Sequence, residues 1–128
     1  MEVFSKGQVV FPKQGQVFQV EIAETASQRT HGLMYRRSMA ANKGMLFVFE
    51  QAGVQRVWMK NTLIALDIIF LSKQGKIVSI LQNIQPCKQP VCKVYTSKKS
   101  AKYMLEIKAG KVKKAGLTMG QQFVFNRL

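Results

Sequence analysis

The sequence predicts a mainly β, sandwich-like or barrel-like single domain over residues 1–128, with about eight short strands and one or two short helices. Three observations lead there. Apolar and polar side chains alternate over 16–23 and again over 103–108, the period of a half-buried strand. Turn residues punctuate the chain at short intervals without long helical stretches between strands, so the βαβ rhythm of a doubly wound parallel sheet is missing. Finally, 128 residues of which 47% are hydrophobic are enough for one real core, with no linker or repeat to divide it.

The elements follow in order. Gln8–Phe11 is a short apolar run closed by Pro12, and Phe18, Val20 and Ile22 alternate with Gln19 and Glu21 in the next strand. Thr25 and Gln28 have the spacing of a capping box and predict a helix over 26–34. Gly32 inside that helix costs propensity and implies a close backbone contact. Gly44–Phe49 is apolar throughout and reads as a buried strand, followed by a turn at Gln51–Gly53. Strands over 55–60 and 66–72 flank an Asn61–Thr62 corner. The second is apolar on both faces, which makes it central. Asp67 within it needs a partner, either Lys60 or backbone N–H groups, because a buried unpaired carboxylate is costly. Ser72–Gly75 reads as a hairpin loop leading to a strand over 76–84. Residues 86–101, with two prolines and a Ser/Lys-rich run, read as a long loop. A strand over 103–108, a short basic helix over 109–115 ended by Gly116, and a strand over 123–125 complete the chain.

The net charge of +14 is extreme for this size. It is concentrated in residues 86–128, which hold ten Lys or Arg against one Glu. An anionic polymer is one reading of that balance. The basic residues there are mostly lysines separated by apolar residues, with no nucleic-acid recognition motif, so a solvated lysine face is the simpler one. No specific nucleic-acid partner is expected. No apolar run approaches the roughly 18 residues of a spanning helix, and Met1–Gly7 lacks the apolar core of a signal peptide.

Chemistry-bearing patterns are few. There is no phosphate loop, dinucleotide fingerprint or evident nucleophile–base pair. His31 is the sole imidazole, and with only two cysteines a zinc site lacks ligands, so no metal and no cofactor are expected. Cys87 and Cys92 flank a short Pro90-containing loop. A disulfide there implies an oxidising compartment; two reduced thiols in the cytosol are the alternative. The segment Val57–Phe70 draws the most attention. Read as a strand, it sends Trp58, Lys60 and Thr62 to one face, an aromatic plate beside an ammonium and a hydroxyl. The competing reading makes Trp58 a core anchor along which Lys60 reaches water. Polar residues embedded in apolar strands must pair or meet solvent, so Arg36, Trp58, Lys60, Asn61, Thr62, Asp67, Tyr95 and Ser97 are expected around one concavity as a ligand site.

The motifs Glu21–Thr25, Arg29, Gly32–Arg36, Gly44–Phe49, Trp58–Ile64, Leu66–Phe70, Tyr95–Ser97 and Leu105–Gly110 together resemble the family called domain of unknown function 192, over about residues 16–126. The resemblance implies a small, mostly β domain, often exported or lipid-anchored in bacteria, with no established activity. Three positions depart from the family pattern. Val57 stands where an aromatic is usual, Ala65 where a proline is usual, and Gln121 where an aspartate is usual. The Cys87 and Cys92 pair resembles an element of exported members, which favours the disulfide. The functional expectation is a monomeric, non-enzymatic cell-envelope binding module for a small polar or saccharide ligand, periplasmic or extracellular with its leader removed, a cytoplasmic location being the alternative. Two other readings stand beside it: an enzyme of unassigned class centred on Lys60 and Asp67, and a basic protein holding anionic envelope polymers without specificity.

Overall fold

A computed structural model describes residues 3–128. Seven strands form one sheet in the order β5-β4-β6-β3-β2-β1-β7. They are β1 (Ser5–Phe11), β2 (Gln16–Ala23), β3 (Lys43–Trp58), β4 (Leu66–Leu71), β5 (Ile77–Ile84), β6 (Val94–Lys108) and β7 (Val124–Arg127). Every pairing is antiparallel except β2 with β3, which the α1 (Ala26–His31) excursion joins in parallel. The sheet curls until its two ends meet. Ile77 N–H donates to the Gln121 carbonyl (2.9 Å), Gly120 N–H to that of Ile77 (2.8 Å) and Phe123 N–H to that of Gly75 (3.0 Å). The barrel-like form follows from this closure between residues 75–77 and 120–123.

The curled sheet has two apolar faces. Val9, Phe11, Phe18, Val20, Ile22, Leu46, Ile69, Leu71, Leu105 and Ile107 fill the inside, and α2 (Lys111–Ala115) adds Val112 while Leu117 follows it. Met45, Phe47, Leu66, Ile68, Phe70 and Met104 form a second cluster on the outside, under Leu33 and Met59. All six residues of β4 are buried, as its two-faced apolar pattern requires.

The structure corrects two boundaries. The residues 44–49 and 55–60 do not form two strands around a turn. One strand, β3, runs through both and ends at Trp58, which reduces eight strands to seven. The extra residues at 49–52 bulge out instead, between the pairs Val48–Tyr103 and Gly53–Ala101. The Gln55 side chain closes that bulge by donating to the carbonyls of Gln51 (3.0 Å) and Ala101 (2.9 Å). Likewise, 94–101 is strand rather than loop, because the far half of β3 needs a partner for its backbone groups. The two far halves pair only with each other and form a two-stranded arm beyond the barrel.

The helix predicted over 26–34 ends earlier, at His31, with the capping box of Thr25 and Gln28 formed as expected. Gly32 sits at its C-cap with φ of 48°, and a Cβ there would lie 3.1 Å from the Phe47 ring, so the expected close contact is with β3. The Ser72–Gly75 hairpin loop is closed by Gly75 N–H donating to the Ser72 carbonyl.

Candidate functional site

Asp67 is fully buried and points into the barrel with Ile69 and Leu71. Its Oδ2 accepts from the N–H groups of Gly110 (3.0 Å) and Val112 (2.9 Å), and its Oδ1 from that of Asn83 (2.8 Å). Backbone groups are therefore its partners, and the carboxylate ties β4 to β5 and to the start of α2. Lys60 lies exposed elsewhere. Asp67 lines neither of two cavities that Lys60 borders.

The buried acid that does face a cavity is Glu106. It leaves β6 on the outer face, beside Met104, and is 5% exposed. No hydrogen bond or ion pair engages its carboxyl among the described residues. Burial alone pushes its pKa up to about 8, with no neighbouring cation offsetting the effect. Glu106 is thus largely protonated at neutral pH, with an O–H to donate and a carbonyl oxygen to accept. Gly44 allows this packing. A Cβ at that position would lie 2.7 Å from the Glu106 carbonyl oxygen, so β3 can cross here only as glycine.

Glu106, Phe47 and Met104 floor a cleft of about 390 Å³ between the α1–Met34 segment and the arm. Its walls carry Arg29, His31, Arg56, Trp58, Lys60 and Thr62. Arg29 is already engaged. It donates to the carbonyls of Glu24 and Val48 and lies 3.8 Å from Glu50. Trp58 is 45% exposed, and Lys60 Nζ sits 5.2 Å from its ring centroid. Asn61, at φ of 56°, turns the chain back, and its carbonyl accepts from Tyr35 N–H (2.8 Å), which anchors the corner to the segment after α1.

The eight residues expected at one concavity are only partly gathered. Trp58, Lys60 and Thr62 border the Glu106 cleft. Thr62 also borders a larger cavity of about 820 Å³, with Asn61, Tyr95 and the 85–89 segment. Tyr95 pairs with Val57 and so occupies the sheet face opposite to Trp58, where Lys93 Nζ lies 4.8 Å from its ring centroid. Arg36 is held by Glu21 in a separate hollow. Ser97 is sealed inside a β6 bulge, accepting from Gln55 N–H (2.9 Å) and donating to the Lys99 carbonyl (2.6 Å). Asp67, Ser97 and Arg36 therefore do not line the cleft that Trp58, Lys60 and Thr62 border. The larger cavity contains no buried titratable group, and the smaller cleft has the more distinctive chemistry. Cys87 and Cys92 are joined in a disulfide with a Cα–Cα separation of 5.7 Å, and both border a third hollow with Trp58, Lys60 and Asn61.

A family model, DUF192 (Uncharacterized ACR), matches residues 9–125. The chain belongs to the DUF192 family. This DUF192 domain is similar to a protein from Sinorhizobium meliloti 1021 that is provisionally described as a transcription regulator. The two share 36% identity and a TM-score of 0.87, over 98% of each chain. It is also similar to a protein of unknown function from Novosphingobium aromaticivorans DSM 12444, with 28% identity and a TM-score of 0.83, over 93% of this chain and 83% of that one. No curated protein matches it. Among the described residues no helix is long and apolar enough to cross a membrane, and no cluster of potential metal ligands occurs.

Glu106, Arg29, His31 and Arg56 escaped the sequence reading as site residues. The alternation over 103–108 placed Glu106 on a polar, outward face. That face is covered, because Leu33 and Met59 pack over it with Phe47 and Met104. The available signal was composition: Glu106 is one of six acids in the whole chain and lies between Leu105 and Ile107.

Proposed function

We propose that this DUF192 domain is a non-enzymatic binding module, which holds a small polar or saccharide-sized ligand in the cleft between α1 and the arm. The observation that carries the proposal is Glu106, a protonated carboxyl without a protein partner at the floor of an open cleft. The Glu106 carboxyl faces the cleft, where a ligand hydroxyl or carbonyl can hydrogen-bond to it. Trp58 at the rim offers a flat apolar face for the rest of such a ligand. The volume of about 390 Å³ falls in the ordinary range for small-molecule sites. The disulfide supports an oxidising compartment outside the cytoplasm, consistent with a role in the cell envelope.

The test is a screen of saccharides and small polar metabolites by amide NMR, following the cleft residues and the Trp58 indole. A hit should shift Trp58, Thr62, Met104 and Glu106 together, and Glu106→Met should abolish the response while the remaining spectrum keeps its dispersion. Shifts that map only to the 85–95 segment, or that survive Glu106→Met unchanged, count against the cleft.

A further inference from the structure

We infer that the cleft ligand is a small hydroxylated organic anion, whose acidic group sits between Arg56 and Lys60 while a hydroxyl reaches Glu106. This rests on the cleft being the binding site. Apart from Glu106, each titratable side chain bordering the cleft is basic: Arg29, His31, Arg56 and Lys60. Arg29 is committed to Glu50 and two carbonyls, whereas Arg56 and Lys60 make no ion pair among the described residues. Both are exposed and flank Trp58, so they stand at the mouth. A neutral Glu106 adds no charge to oppose an entering anion.

The two ends of the cleft differ in character. The floor is buried and offers one hydrogen-bonding carboxyl; the mouth is exposed and cationic. Glu106 is buried, whereas Arg56 and Lys60 are exposed. One ligand satisfies both ends only if it is itself two-ended, with an anion at one side and a neutral hydroxyl at the other. An inorganic ion lacks the second end and a neutral sugar lacks the first. A carboxylate and a phosphate monoester share the required charge, and guanidinium binds either in bidentate fashion.

Trp58 is the chain's sole tryptophan, so its fluorescence reports the cleft directly. The full chain is titrated at low salt with glucose, glucuronate, glucose 6-phosphate, acetate and inorganic phosphate, with the Trp58 indole NMR signal followed in parallel. Saturable binding of glucuronate or glucose 6-phosphate, about tenfold or more tighter than glucose, is expected, and the better of the two names the acidic group. The exposed-site variant Arg56→Gln/Lys60→Gln should lose about tenfold in affinity for that anion and none for glucose. Equal affinity for glucose overturns the anion inference and leaves the cleft reading standing. Equal affinity for acetate or phosphate removes the hydroxylated end. Anion binding that persists in Glu106→Met overturns the cleft reading itself, and no response to any of the five overturns the inference.

Discussion

Asp67 and Glu106 lie one register step apart on the paired strands β4 and β6 and face opposite sides of the sheet. Asp67 is opposite Ile107, and Glu106 is opposite Ile68. Both acids are buried, at 0% and 5% exposure. Asp67 accepts three backbone N–H groups inside the barrel, while the Glu106 carboxyl has no partner among the described residues and opens on a cleft. The Asp67 carboxylate thus holds strands and helix together, whereas the Glu106 side chain borders the cleft.

Asp67→Ala should destabilise the protein by about 2–3 kcal/mol, because three donors, one buried and two part-buried, lose a buried charged acceptor at once. Urea unfolding should show the midpoint falling with an unchanged slope. A loss below about 0.5 kcal/mol, the size of an ordinary surface change, would mean that the three bonds do not hold the β4–α2 corner.

Glu106→Gln should change how stability depends on pH. The folded protein holds a proton on Glu106 up to about pH 8, whereas the unfolded chain releases it near 4.5. Stability from the protonated acid is therefore complete below pH 4.5 and is lost progressively as pH rises towards and through 8. The loss is on the order of a few kcal/mol. Glutamine cannot ionise, so the variant should gain on the wild type steadily across this window. Parallel curves for the two proteins between pH 5 and 8 would contradict the assignment.

Local rules in the sequence were enough for most of the fold. The capping box at Thr25, the alternation of Phe18, Val20 and Ile22, and the two-faced apolar run at Leu66–Leu71 each act within a few residues and reappear as α1, β2 and β4. The bulges that make β3 and β6 long could not be read this way. Gln51–Gly53 has turn composition, and only the pairing with 101–103 across the sheet keeps it in the strand. The same limit applies to the site. Trp58, Lys60 and Thr62 do border one cleft, but only Trp58 lies in β3; the turn at Lys60 and Asn61 brings the other two there. Glu106 joins them from β6, and Arg29 and His31 from α1, through contacts between distant segments that no local pattern encodes. Ser97 and Tyr95 were misplaced for the same reason, since their loop is a strand.

Cys87 and Cys92 should be oxidised in the native protein. Thiol titration of denatured, unreduced protein should find almost no free thiol. Cys92→Ser should cost about 2 kcal/mol, as expected for opening so short a loop. Two titratable thiols in freshly isolated protein would rule out the disulfide and, with it, the support for an oxidising compartment.

Nucleic-acid binding should be weak and non-specific, despite the net charge of +14 and the description of the Sinorhizobium relative. The lysines of the C-terminal third are dispersed, and α2 has only five residues. Affinities of roughly 10⁻⁴–10⁻⁶ M near physiological salt, falling steeply as salt rises, are expected in a gel-shift series. Sequence-selective binding at nanomolar concentration under the same conditions would turn the basic surface into the principal site.

The protonation state of Glu106 tests the central claim most directly. Carbon-13 NMR of the side-chain carboxyl, with Glu106→Gln used to assign it, gives the midpoint without reference to any ligand. A midpoint near 8 is expected for a buried acid with no protein partner. A midpoint near the ordinary value of 4.5 would show that a charged or hydrogen-bonding group of the chain already satisfies Glu106, and the cleft would then have no unmet group for a ligand to engage.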